Sequence, residues 1–567
     1  MKKIIPHGQS NYKNLILGNF YYVDRTMYLE KLEEIPNRFQ FLLRPRKFGK
    51  SLFVSMMQYY YGVEHKDKFS QLFGDYYIGK SPTALANSYY VMMFDFSGIT
   101  TYDETQIVES FRNSIYSSIQ TFNSIYKLFD HQRMQDLESI SNPADLMKDF
   151  LSGIDSNNSF PIYIVIDEYD HFTNELLSFN IGLFKTSVSQ NGFVRKFFEV
   201  IKTFTGTGLV KRLFATGVTP VTLDSMTSGF NIAVDLSGIH QFNGMLGFSD
   251  AEVHTLLQYY EIENSELVLA DMRRYYNGSR FSLKADEKLY NSNMVLYFLF
   301  HMLNSGEYPN PIVDKNIVSD YSKISAIFSL NTSSETQDKL NGLLENGEVL
   351  AELTQQFTFQ REFTTSDLIS LLYYNGLLTI RGSKYDRVLF VIPNYVVEEL
   401  YWKYFAELLR VRTVPALYTV ESIFDALEQM ADEGKIDKWV ELISNTLAHL
   451  SNRDLQKFDE KYIKMIMLAF GHLSTRFFIA NEREVNRKYP DLMFLRNPQF
   501  NVKHQLLIEL KYIKIGDKHL LEQTVAKAVE QVTGYLQLPA IKNLDNLSAY
   551  AVVFVGEVGQ WSEVRGK

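Results

Sequence analysis

The sequence predicts an α/β protein built on two sheets, an N-terminal parallel one and a C-terminal one entered through a hairpin. Three stretches predict it. Phe39-Gln40-Phe41-Leu42-Leu43 reads as a buried strand and runs through Arg44-Pro45-Arg46-Lys47-Phe48-Gly49-Lys50-Ser51 into an apolar helix start at 52–57. Ile162-Tyr163-Ile164-Val165-Ile166 is β-branched and aromatic throughout, as a strand covered on both faces should be, and ends in Asp167-Glu168-Tyr169-Asp170. Residues 489–495 and 505–511, separated by the turn residues Asn497-Pro498-Gln499-Phe500-Asn501, read as the two arms of a hairpin.

Strand, loop, Gly-Lys-Ser and helix form the layout of a phosphate-binding loop. A helix N-terminus presents unpaired N–H groups and a positive dipole end to phosphate oxygens. Gly49 permits close backbone approach, Lys50 adds a point charge at the β/γ-phosphates and Ser51 is a Mg²⁺ ligand. Arg46, Phe48, Gly49, Lys50, Ser51 and Leu52 are thus the expected nucleotide-binding residues of the loop, with ATP as nucleotide. The first glycine of the usual G-x-x-x-x-G-K-[ST] pattern is Arg44 in this chain. On what reads as the neighbouring strand, Asp167 is expected to hold Mg²⁺ through water and Glu168 to activate the attacking water. Residues 212–217 form a further strand ending at Thr216, which senses the γ-phosphate, holds the water or simply ends the strand at Gly217. Residues 90–96 are another core strand, with Asp95 structural. Strands alternating with helical stretches argue a doubly wound parallel sheet with the nucleotide at its C-terminal edge.

Tyr22-Val23-Asp24-Arg25-Thr26, the loop from Arg44 to Ser51, Ile166-Asp167-Glu168-Tyr169-Asp170, Thr216-Gly217-Val218 and Gly229-Phe230-Asn231 resemble the bacterial AAA-ATPase-like family. The resemblance extends over nearly the whole chain. It implies that the arginine in place of the first glycine is a family trait, and that a C-terminal nuclease-like domain of the PD-(D/E)XK superfamily follows.

The C-terminal residues support that expectation on their own chemistry. In Glu509-Leu510-Lys511 the first and third side chains share one face of the strand, and a hairpin can set Asp491 beside it. Asp491 and Glu509 are then expected to bind Mg²⁺ or Mn²⁺, with Lys511 positioning or activating the hydrolytic water. A helix at 520–536 carries Gln531 and Tyr535 one turn apart on one face, and a strand at 550–555 closes the unit. The resemblance implies a further acid at Glu460 on a helix, and Glu482 and Glu484 on the strand before Asp491. Lys488-Tyr489-Pro490 stands where relatives carry a glycine and an arginine before the metal acid, so those two are out of register here.

Composition bounds the rest. The 567 residues carry a net charge of −9, which argues against a surface that binds nucleic acid all over. The local balance of segment 481–516 differs, with seven Lys or Arg against four acids, a small basic patch that could hold a phosphate backbone or a scattered set of solvated charges. The absence of cysteine excludes disulfides and thiolate metal sites and fits a cytoplasmic chain. No apolar run is long enough for a membrane span. The expected organisation is an ATPase domain at 1–246, a helical lid at 247–303, a winged-helix-like and connector region at 304–450 and a nuclease-like domain at 451–567. The lid starts at a Ser249/Glu252 capping pair and offers Arg273, Arg274 and Arg280 as candidate γ-phosphate sensors. The winged-helix-like segment at 364–392 shows no basic recognition helix, which favours a packing role. The expected function is ATP hydrolysis coupled to metal-dependent cleavage of nucleic acid, DNA foremost, by a chain that also self-associates. The alternative is a nucleotide-switched nucleic-acid-binding or signalling ATPase with an inactive nuclease fold.

Overall fold

The computed structural model describes residues 2–154, 160–179, 181–188, 192–221, 232–314, 327–328, 330–357, 363–412, 420–449, 459–481, 490–500 and 502–565. Gly229-Phe230-Asn231, Glu482, Glu484 and Lys488-Tyr489 lie outside them. The chain forms two compact units. The first comprises Met1–Gly306, Pro311–Gln337 and Leu350–Asn394, the second Glu307–Asn310, Asp338–Val349 and Tyr395–Lys567. Among the described residues no helix is long and apolar enough to cross a membrane.

The first unit is built on a five-stranded sheet of β1 (Phe39–Leu43), β2 (Tyr90–Asp95), β3 (Ile162–Asp167), β4 (Val210–Gly217) and β5 (Val234–Asp235), in the order β2-β3-β4-β1-β5. Every neighbouring pair is parallel. Parallel pairs need long crossovers, which the helices Lys50–Tyr61, Glu104–Tyr126, Pro143–Gly153 and Phe193–Gly206 supply. One expectation is corrected: β3 is not the neighbour of β1, because β4 lies between them. β4 pairs with β1 from Phe39↔Leu213 to Leu43↔Gly217 and with β3 along its other edge. Seven of its eight residues are buried, which suits the strand paired on both edges and covered on both faces. The helix Lys50–Tyr61 sinks Phe53, Val54, Met56, Met57, Tyr60 and Tyr61 into the core against Tyr163 and Phe214.

The three helices Asp250–Tyr259, Ser265–Tyr276 and Ser292–Ser305 follow, the first opened by the expected capping box of Ser249 and Glu252. Beyond β6 (Glu348–Ala351) come the helix Thr365–Tyr374 and the antiparallel hairpin of β7 (Thr379–Lys384) and β8 (Arg387–Val391). All of that helix except Ser366 is buried, so it presents no face to a nucleic acid groove and packs within its unit.

The second unit carries a mixed sheet of β9 (Phe477–Asn481), β10 (Leu492–Arg496), β11 (Gln505–Ile513), β12 (Leu547–Val555) and β13 (Val558–Glu563) in the order β13-β12-β11-β10-β9. β11 and β12 are parallel and the other neighbours antiparallel. β10 starts one residue after Asp491. The strand at 550–555 does not close the unit, as its sequence suggested. Gly556 turns left-handed (φ 59°) in a two-residue hairpin that pairs Val555 with Val558, and β13 takes the edge. The helix Leu521–Tyr535 leaves Gln531 exposed and packs Tyr535 partly against the cluster that holds Leu507, Ala528 and Val532.

Gly278 adopts φ 131°, and a Cβ there would lie 2.0 Å from the Pro393 carbonyl oxygen. Gly278→Ala should therefore destabilise the first unit by more than about 1 kcal/mol, read as a lowered denaturation midpoint with unchanged slope.

Candidate functional site

In the first unit the C-terminal ends of β1, β3 and β4 share one edge. The Arg44 N–H donates to the Gly217 carbonyl at 3.1 Å, so the loop leaves β1 beside the end of β4. Lys47 (φ 67°) and Gly49 (φ 103°) then turn the chain left-handed into the helix at Lys50. A Cβ on Gly49 would meet nothing nearer than Ser292 Oγ at 3.8 Å, so conformation rather than space requires glycine. The Lys50 ammonium is 4 % exposed and donates back to the carbonyls of Arg44 (3.0 Å) and Pro45 (3.2 Å). Burial lowers its pKa, against the upward pull of Glu168, Asp167 and Asp170.

Arg44 is an anchor that its position in the motif did not reveal. Its buried guanidinium donates to the carbonyls of Leu43 (2.7 Å), Ser237 (3.0 Å) and Phe242 (2.7 Å) and lies 4.1 Å over the Phe281 ring. Desolvation draws its pKa down to about 10.

Asp167 receives the Thr216 hydroxyl at 2.6 Å and a hydrogen bond from Ser51. Burial raises its pKa, while those two bonds and Lys50 work against the rise. Ser51, Asp167 and Thr216 are thus brought into one group, in which Thr216 is spent on the carboxylate. Glu168 holds a left-handed φ of 49° and pairs with His171 Nδ1 at 2.9 Å. That bond, helped by Lys50, pulls its pKa down to about 2. The three-residue spacing of Glu168 and His171 at a strand-to-helix turn is the signal by which His171 could have been found.

A cavity of about 490 Å³ opens over the loop. Arg46, Phe48, Gly49, Lys50, Ser51 and Leu52 all line it, together with Glu168 and His171. None of the three arginines expected as sensors does. Arg273 forms a two-pronged pair with Asp250 (2.6 and 2.5 Å) and Arg280 donates to the Arg381 carbonyl at 2.6 Å. The lining arginine from outside the loop is Arg25, held by Glu252 and the Gly247 carbonyl.

The second unit gathers a different group. The register Leu492↔Ile508, continued by one step, sets Asp491 across from Glu509. The Leu510 N–H donates to Asp491 Oδ2 at 2.9 Å. Lys511 Nζ lies 2.6 Å from Glu509 Oε1, 3.0 Å from the Leu510 carbonyl, 3.7 Å from Glu460 Oε1 and 3.8 Å from Asp491 Oδ2. Glu460 opens the helix Glu460–Gly471, and Lys464, one turn on, reaches Asp491 Oδ1 at 3.2 Å. The i, i+4 spacing puts Lys464 on the same helix face as Glu460, but it does not tell that this face meets Asp491. Glu509 is 2 % exposed, and its Oε2 has no hydrogen-bond partner among the described residues. An orphaned, buried carboxylate oxygen facing a second carboxylate fits a hard divalent cation. Among the described residues no three acids or histidines already form an ion cage, and the Lys511 ammonium stands among the oxygens instead.

Residues 6–227 match the family model described as Predicted AAA-ATPase, and residues 458–563 match that of the PD-(D/E)XK nuclease superfamily. The chain carries an AAA-ATPase-like domain and a nuclease-superfamily domain. No curated protein matches the chain. The AAA-ATPase-like match takes in the loop, Asp167, Glu168 and Thr216, and the nuclease-superfamily match takes in Glu460, Lys464, Asp491, Glu509 and Lys511.

Burial first and Asp491 second push the Glu509 carboxyl up to about 7, from an ordinary value of 4.5. A raised folded-state pKa contributes stability that is full below pH 4.5 and is lost as pH climbs through 7. In chelator, the nuclease-superfamily domain should therefore lose on the order of 3 kcal/mol between those limits. Glu509→Gln should flatten the decline, checked by denaturation curves across pH 4 to about 8.

Proposed function

We propose that the AAA-ATPase-like domain binds and hydrolyses ATP, and that the nuclease-superfamily domain cleaves nucleic acid, DNA foremost. The observation that carries the first half is the hydrogen-bonded group of Ser51, Asp167 and Thr216 beside the Lys50 loop. In this reading the N–H groups at the start of the Lys50 helix, with Arg46 and the backbone around Phe48, Gly49 and Leu52, cradle the phosphates. Lys50 exchanges its two carbonyl partners for phosphate oxygens. Mg²⁺ held by Ser51 and Asp167 supplies charge neutralisation on the phosphates. Thr216 fixes the Asp167 carboxylate. Glu168, kept ionised by His171, orients the attacking water by accepting its hydrogen bond. So low a pKa makes it a weak proton acceptor at neutral pH.

The second half rests on Asp491, Glu509 and Lys511 meeting at one strand edge. Mg²⁺ or Mn²⁺ held by the two carboxylates supplies Lewis-acid polarisation of the phosphodiester. Lys511 holds the attacking water in line, and Glu460 in turn holds Lys511. The Lys464–Asp491 pair favours a second reading, in which an ammonium keeps Asp491 from a metal and the domain grips nucleic acid without cutting it.

Lys50→Ala should lower ATP hydrolysis by about 100-fold or more, whereas Glu168→Gln should lose hydrolysis and keep ATP binding. An unchanged rate in Lys50→Ala would sink the ATPase assignment. Cutting of mixed DNA and RNA substrates with Mg²⁺ or Mn²⁺ should vanish in Glu509→Ala. Binding without cutting in the wild-type chain, unaffected by Glu509→Ala, would instead establish the second reading.

A further inference from the structure

The cavity over the loop extends well past the phosphate-binding residues. Beyond the residues of the loop its lining is largely apolar and aromatic, with Pro6, Leu15, Tyr21, Leu246 and Leu256 among them. Such a slot suits a flat ring, and in a slot of this kind a few placed polar groups set specificity. Gln9 lines the same cavity, and among the described residues its carboxamide has no hydrogen-bond partner.

Gln9 is also held at its backbone. Gly8 turns left-handed (φ 79°), and the Gln9 N–H donates to the Pro6 carbonyl at 3.2 Å. Two residues on, Asn11 caps the helix Tyr12–Leu17 through the Asn14 N–H at 3.0 Å. On the other side the Ile4 N–H donates to Asn19 and the Tyr21 N–H returns to the Ile4 carbonyl at 2.8 Å. The Lys3 N–H donates to the Tyr259 hydroxyl at 2.8 Å. A backbone tied at both ends fixes where the side chain starts, so only the side chain's own rotamers are left to be ordered on binding.

A carboxamide offers one acceptor oxygen and an NH₂ donor side by side. Adenine presents the complement, the N6 amino group as donor next to N7 as acceptor. A 6-oxo purine presents two acceptors along that edge, and the carboxamide can satisfy only one of them. We propose that Gln9 selects the adenine ring of the nucleotide by pairing with its N6–N7 edge. This rests on the ATPase reading above and assigns the base end of the same cavity.

The test is competition of ATP and of inosine triphosphate, which differs from ATP in its 6-oxo group, against a fluorescent adenine nucleotide on the full chain. The wild-type chain should prefer ATP by about tenfold or more, equivalent to about 1.4 kcal/mol. Gln9→Ala should erase that preference by weakening ATP alone, and Gln9→Asn, with the same chemistry on a shorter arm, should retain part of it. Unchanged melting temperatures would show that both variants fold. Equal preference in wild type and Gln9→Ala would overturn the assignment while leaving the ATPase reading intact. A wild-type chain that binds neither nucleotide would overturn both.

Discussion

The Asp170 carboxylate lies fully buried and accepts hydrogen bonds from the Val218 N–H, the Thr219 N–H and hydroxyl, and the Asn174 amide. It sits three residues past β3, and its donors on Val218 and Thr219 come from the exit of β4. The bond set therefore locks the turn after β3 onto the turn after β4. Tyr169 reinforces the lock: its N–H donates to the Thr216 carbonyl and its hydroxyl to the Thr219 carbonyl. Gly217 has no room for a Cβ, which would stand 2.4 Å from the Tyr169 ring and 2.5 Å from Asp170. With these strand ends fixed, Thr216 meets Asp167 and the Gly217 carbonyl meets Arg44. Removing the carboxylate would leave several buried donors unsatisfied at a cost of about 1–3 kcal/mol each.

Much of this was legible in the sequence because it is local. The apolar runs at Phe39–Leu43 and Ile162–Asp167 and the Gly49-Lys50-Ser51 turn follow from side-chain pattern and backbone freedom over a few residues. The order of the strands was not legible. β3 and β1 carry the two recognisable motifs and read as neighbours, yet the strand between them, β4, comes later in the chain and has no motif beyond Thr216. Pairing partners depend on contacts far apart in sequence, which a short pattern does not encode. The same limit explains Lys464. Glu460 stood out as an acid at a helix start, but the role of a lysine one turn on depends on where Asp491 ends up. The expected arginine sensors failed for a related reason: a charge in the right segment says nothing of its partner, and Arg273 is already engaged by Asp250.

Both candidate sites place a half-buried or buried ammonium among oxygens, and the kind of oxygen decides what each can do. Lys50 meets two neutral carbonyls, which satisfy its donors without cancelling its charge. Phosphate oxygens are stronger acceptors than those carbonyls, so exchange toward an anionic ligand is favourable. Lys511 meets carboxylates from three elements, which raise its pKa against the effect of burial. A dication there competes with two lysines for Asp491. The nuclease-superfamily site is therefore the more finely balanced of the two, and its occupancy by metal turns on ion-pair strength rather than on the fold.

The middle of the first unit gains a meaning from Arg44. Its guanidinium stacks on Phe281, whose carbonyl receives the Tyr373 hydroxyl from the buried helix Thr365–Tyr374. Pro45 approaches so close to Gly376, at the end of that helix, that a Cβ there would lie 2.9 Å from it. Arg280 ties the same region to Thr379 on β7. A glycine in place of Arg44 would offer neither the stacking on Phe281 nor the bonds to the Leu43, Ser237 and Phe242 carbonyls, which need a long planar cation. The departure from the usual loop pattern thus joins the loop before Lys50 to the helix and hairpin that the sequence suggested as a winged helix. That element is built into the support of the loop, which is why its helix is buried and carries no basic face.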